Sequence, residues 1–106
     1  MNIDIAQLRP RAGEAARLMR ALSSPHRLLV LCELHGGERS VGALERAVGL
    51  KQSPLSQHLA KLRRDGLVKT RRESQTVYYS LADPRVSRVI GVLHETFCKP
   101  ARGGRT

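Results

Sequence analysis

At Gly66 the hydrophobic period of this chain changes, and no other feature constrains its fold as strongly. Before Gly66, apolar residues recur every three or four positions, in segments bounded by helix start and stop signals. After it, "LVKTRRE" and "TVYYSLA" alternate apolar with polar side chains. The first period belongs to helices and the second to strands, so a helical body must run directly into a β-hairpin.

Punctuation divides the helical part. Pro10 suits a first helical position, and Ala12, Ala15, Ala16, Met19 and Leu22 follow as a stripe of small and apolar side chains. Ser24 and Pro25 start a second helix, as an N-cap followed by a proline where no N–H is needed, and Gly36-Gly37 stops it. Ser40 opens a short third helix through Leu44 and Val48, which Gly49 ends. After the turn "GLKQ", Ser53-Pro54 starts a fourth helix that runs to Gly66. The hairpin turns around Glu73, Ser74 and Gln75, and Asp83-Pro84 begins a last helix with a stripe of Val86, Val89, Ile90, Leu93 and Phe97. The expectation is one mainly α domain over residues 10–98, in the order α-α-α-α-β-β-α. An N-terminal extension precedes it over 1–9, and a disordered basic tail, "KPARGGRT", follows over 99–106.

Helix, turn, helix and then a basic hairpin is the layout of a winged helix-turn-helix, whose second motif helix enters the DNA major groove. In projection, Leu55, Leu59 and Leu62 share one face of the fourth helix; Ser53, Gln57, Ala60, Lys61 and Arg64 point away, and Ser56 and His58 lie on the flanks. The chain holds 19 Lys+Arg against 9 Asp+Glu, a formal charge of +10. Seven Lys/Arg and one acid, Asp65, fall between Lys51 and Arg72. A solvated polar face is the plain alternative, but charge concentrated on that segment is the footprint expected for nucleic acid. Double-stranded DNA is therefore the expected partner. The expected contacts are Gln52, Ser53, Pro54, Ser56, Gln57, His58, Lys61 and Arg64 on the reader, and Arg71, Arg72, Ser74 and Gln75 on the wing. Gln pairs with adenine edges, Lys and Arg with guanine, and small hydroxyls with phosphate or base edges. For Arg71 and Arg72 the alternative role is solubility alone.

Other classes fit less well. No stretch approaches the roughly twenty apolar residues that span a bilayer, and "MNIDIAQLRPR" lacks the apolar core of a secretion signal, so a cytoplasmic protein without a membrane partner is expected. Cys32 has His35 three residues on, and Cys98 has His94 four residues back. With no phosphate loop and no supported carboxylate pair, the chain is not expected to be an enzyme or to carry a cofactor. Nonspecific packing of DNA fits the charge but not the polar reader face. Cys32 projects between Leu28 and Leu29, a direction taken as buried, whereas Cys98 lies about 100° off the Phe97 stripe, near the end of the last helix.

The stretches "LSSPHRLLVLCEL", "SVGALERAVGLKQSPLSQHLAKLRRDGLV" and "RRESQTVYYSL" resemble the ArsR/SmtB family of dimeric winged-helix repressors, over about residues 10–98. The resemblance implies a homodimer through the first and last helices, and a palindromic operator. The family's arsenic site has thiols where Ser40 and Gly42 stand in "ERSVGAL". Its last-helix zinc site has histidines where Arg85 and Thr96 stand, leaving Asp83. His94 and Cys98, at i and i+4 beside Glu95, lack a clear third ligand, so no metal is expected. Within the family the chain is similar to the HlyU, BigR and SqrR type, which carries cysteines at the positions of Cys32 and Cys98. That likeness implies an operator affinity set by a reactive sulfur or oxidant species acting on these thiols. Two inert packed thiols are the alternative, as are an HlyU-like activator that displaces a silencing protein from DNA and a metal-responsive repressor.

Overall fold

Helix gives way to sheet at Gly66 in the computed structural model, which describes residues 3–98. The expected tail over 99–106 lies outside them. A first turn of helix, α1 (Ile5–Leu8), and a 3₁₀ turn (Arg9–Arg11) lead into α2 (Ala12–Leu22), α3 (Pro25–His35), strand β1 (Arg39–Ser40), α4 (Val41–Val48) and α5 (Gln52–Arg64). The hairpin β2 (Val68–Glu73) and β3 (Thr76–Leu81) and the last helix α6 (Pro84–Phe97) complete the order. This is a winged helix-turn-helix, with α4 and α5 as the motif and β2–β3 as the wing.

Local chemistry explains most of the boundaries. The Oγ of Ser24 accepts from the Arg27 N–H, Ser40 caps α4 through the Ala43 N–H, and Asp83 caps α6 through the Arg85 N–H. Past α5, the Gly66 N–H donates to the Arg63 carbonyl and the Leu67 N–H to the Leu62 carbonyl, both at 3.0 Å. That pair of bonds is a Schellman motif, which needs a left-handed residue; Gly66 supplies it at φ 76°. Leu62 and Leu67 are both buried, so the helix end and the wing start share one apolar anchor.

Three boundaries differ from the sequence expectation. α5 begins at Gln52 after Lys51, not at Ser53-Pro54, because a proline is tolerated anywhere in a first turn whose N–H groups lack partners. The residues before Pro10 carry a helical turn of their own, capped by Asp4. A third strand was not foreseen: β1 pairs antiparallel with β3, Arg39 opposite Tyr79 and Ser40 opposite Tyr78, giving the sheet order β1-β3-β2.

The core gathers Val30, Leu31 and Leu34 of α3, Leu44 of α4, the Leu55-Leu59-Leu62 face of α5, and Val86 and Ile90 of α6. No polar or charged side chain is buried among the described residues. Replacing fully buried Leu62 with Ala is expected to cost about 2–5 kcal/mol in urea unfolding, against about 0.5 kcal/mol or less for exposed Ser56→Ala. A loss at Leu62 of under about 1 kcal/mol would contradict this packing.

Two packing expectations are corrected. α3 is apolar nearly all round, and its buried side is Val30, Leu31 and Leu34; the side carrying Cys32 faces out, with Leu29 50% exposed. Cys32 is therefore not core filling within the protomer. The α6 stripe also divides: Val86 and Ile90 are core, Val89 and Leu93 pack against it, and Phe97 is 78% exposed. Met19 is 53% exposed, and Ala12, Ala15 and Ala16 of the α2 stripe face out with it.

Candidate nucleic-acid interface

The leucine face of α5 fixes the helix on the core and leaves the opposite side to solvent. Gln52, Ser53, Ser56 and Gln57 line a shallow groove of about 490 Å³ along it, with Ala60 as its small floor. Pro54, Lys61 and Arg64 are also exposed; Lys61 lies 3.5 Å from Asp65, and Arg64 has no ion-pair partner among the described residues. Unlike α3, α4 and α6, α5 has no side-chain cap, and its first turn holds no acid. Its positive end and unpaired N–H groups stay open to an anion.

His58 departs from the expected set. It is half-buried against α3, its ring 5.8 Å from that of His26. Burial lowers its pKa, and the nearby Arg27 and His26 lower it further. A depressed histidine is neutral near pH 7 and offers phosphate no charge. The folded protein then takes up this proton at lower pH than the unfolded chain, whose value is near 6.5. Its share of stability is full above about pH 6.5 and declines as pH falls toward the folded value. Urea midpoints between pH 7 and 5 should fall less steeply in His58→Asn; identical slopes would remove His58 from the account.

The wing carries the other correction. Arg71 gives two bonds to Glu38, at 2.8 and 3.1 Å, and one to Glu73 at 3.1 Å, and it lies over the Tyr78 ring at 4.6 Å. The guanidinium in turn holds the Glu38 carboxyl below its ordinary value. Arg71 is thus a strut between the wing and the loop before β1, a role the sequence did not disclose because Glu38 is thirty-three residues away. Arg72 is exposed and has no ion-pair partner among the described residues. Ser74 and Gln75 form the two-residue tip, where Ser74 takes φ 56°, as a primed hairpin turn demands.

The two thiols sit on α3, at Cys32, and at the end of α6, at Cys98. Both are free and exposed. The Cys32 thiol is pushed above its ordinary pKa, first by partial desolvation and then by the charge of Cys98 and of Glu33.

Residues 24–70 match the model described as "Bacterial regulatory protein, arsR family". The chain is 43% identical over 97 residues to the transcriptional activator HlyU of Vibrio cholerae, covering 92% of this chain and 90% of that one. The chain belongs to the arsR family.

Among solved structures of the arsR family, the transcriptional repressor BigR from Xylella fastidiosa superposes with a TM-score of 0.88 at 38% identity, covering 92% of this chain and 99% of that one. A homodimeric winged helix-turn-helix DNA-binding domain from Mycobacterium bovis is similar at 32% identity and a TM-score of 0.71, covering 91% of this chain and 86% of that one. The protein is accordingly a DNA-binding transcriptional regulator of arsR type, and no helix among its described residues is long and apolar enough to cross a membrane.

At the arsR-family zinc position, Asp83 is committed elsewhere. It caps α6 and grips the Arg85 guanidinium at 2.6–3.1 Å, while Arg85 reaches Glu14 of α2 at 2.6 Å. Glu14, held also by Arg11, has its carboxyl pulled down to about 2, first by the Arg11 bond and then by Arg85. An ion-pair chain thus ties the start of α6 to α2. Among the described residues no three or more His, Cys, Asp or Glu side chains come together as a metal site.

Proposed function

We propose that this protein is a homodimeric, sequence-specific regulator that reads a palindromic operator with Gln52, Ser53, Ser56 and Gln57, and whose hold on DNA is weakened when Cys32 and Cys98 are joined. The observation that carries the first part is the α5 face, where amide and hydroxyl groups line one uncapped groove opposite a leucine anchor. Pro54, Lys61 and Arg64 flank the groove, and Arg72, Ser74 and Gln75 of the wing hold the DNA backbone. Arg71 sets the angle of the wing, and His58 positions α5 against α3. The exposed apolar stripes of α2 and α6, Met19 and Phe97 among them, support pairing through the first and last helices.

What supports the second part is that both thiols are free and exposed on α3 and α6, two helices that pack against each other. The chemistry starts at Cys98, exposed at the end of α6. The Cys98 thiolate attacks the outer sulfur of a persulfide R–S–SH, giving Cys98–S–SH and releasing the thiolate RS⁻. Cys32 then attacks the inner sulfur, loses its proton and expels hydrosulfide, leaving a Cys32–Cys98 disulfide. An oxidant such as a peroxide reaches the same bond by taking the two electrons. The repressor direction fits a ligand that releases DNA; displacement of a silencing protein fits the likeness to an activator.

Selection of binding sequences from a random DNA pool tests the reading. The expected product is a palindrome whose half-sites lie about one helical turn, 10–10.5 bp, apart, as two α5 helices of a dimer require. A pool with no enriched sequence would reject it.

A further inference from the structure

A second cleft, of about 650 Å³, lies between α2, the start of α3, the end of α5 and the start of α6. Five cations line it: Arg17 and Arg20 of α2, Arg27 of α3, Lys61 of α5 and Arg85 of α6. Its two acids are already taken, Glu14 by Arg11 and Arg85 and Asp65 by Lys61. Arg27 spends its donors on backbone, giving Nε to the Ala21 carbonyl at 2.9 Å and a second N–H to the Arg20 carbonyl at 3.3 Å, and so carries no carboxylate. Arg17 and Arg20 have no ion-pair partner among the described residues. Three guanidinium groups without a counter-charge therefore converge on one concave site.

Concavity and excess positive charge select a multivalent oxyanion, and planar forked donors match phosphate oxygens two at a time. Projected along α2, Arg17 lies about 150° and Arg20 about 90° from the centre of the outward stripe of Ala12, Ala15, Ala16 and Met19. Arg17 thus stands on the side of α2 away from that stripe, and Arg20 at its flank. Lys61 belongs both to the cleft wall and to the flank of the reader helix, so the cleft borders the path of a DNA strand lying along α5.

We infer that this cleft is a phosphate site separate from the base-reading groove, filled either by a backbone phosphate of bound DNA or by a free phosphorylated small molecule. The DNA source rests on the proposed function; the free source does not. The test uses the full chain and the double variant Arg17→Ala/Arg20→Ala, which removes exposed helical side chains without breaking an ion pair. A charge-matched variant, Arg9→Ala/Arg88→Ala, serves as the control. Each protein is titrated with pyrophosphate in a calorimeter, then with operator and random DNA over a range of salt. Saturable pyrophosphate binding by wild type and control, lost in the double variant, assigns the cleft to a free ligand. Without pyrophosphate binding, a loss of affinity for both DNAs beyond that of the control, with the slope of log K on log salt reduced by about 1 per phosphate released, assigns it to the backbone. If the double variant matches the control in both arms, the inference falls while the proposed function stands. If wild type binds neither DNA, the proposed function falls and pyrophosphate alone decides the site, its failure to bind overturning the inference.

Discussion

Treating the reduced protein with a persulfide donor is expected to lower its operator affinity about 5- to 150-fold, and a reductant to restore it. The scale is that of a coupling between two sites, and the coupling element is identifiable. Cys32 sits on the outer side of α3, and Cys98 closes the last turn of α6, its N–H donating to the His94 carbonyl. A bridge demands Cα atoms about 4.4–6.8 Å apart, so it fixes the end of α6 against α3. α6 carries half of the proposed dimer stripe, and α3 packs against both α4 and α5. Moving one against the other changes the separation of the two reader helices, which a palindrome of fixed spacing does not tolerate. Cys32→Ser and Cys98→Ser should each bind operator as the reduced wild type does and ignore the donor. Should mass spectrometry find no sulfur link in the wild type, or should both variants respond like it, the thiols have no regulatory part.

Gln57→Ala separates reading from holding. The amide of Gln57 stands in the middle of the α5 groove and can address an adenine with two bonds. Its loss should cost about 1–3 kcal/mol on operator and almost nothing on random DNA. Arg72→Ala should instead weaken both DNAs alike and flatten the salt dependence by about one phosphate. Equal losses on both DNAs for Gln57→Ala would remove it from the reading face.

The helical body and the wing were legible because their signals are local. Ser24, Ser40 and Asp83 announce caps, and the change of period at Gly66 marks the exit from α5, where the Schellman bonds make the turn. β1 was invisible for the opposite reason: two residues pair with β3 through backbone alone, leaving no periodic trace. Cys32 was misplaced because α3 is apolar nearly all round, so its periodicity names no buried side. The ion pair of Arg71 was invisible since its partner Glu38 meets it only after the sheet has formed. The exposure of Phe97 has the same origin, for a stripe in sequence does not say whether its cover belongs to the same chain.

The most direct measurement is the ratio of affinities for the selected palindrome and for random DNA of equal length, at one physiological salt concentration. An account in which the α5 groove reads bases predicts a ratio of about 10³ or more, since phosphate contacts alone bind both DNAs alike. A ratio near one, with affinity set by salt alone, would mean that the groove reads nothing and that the basic surface only holds DNA.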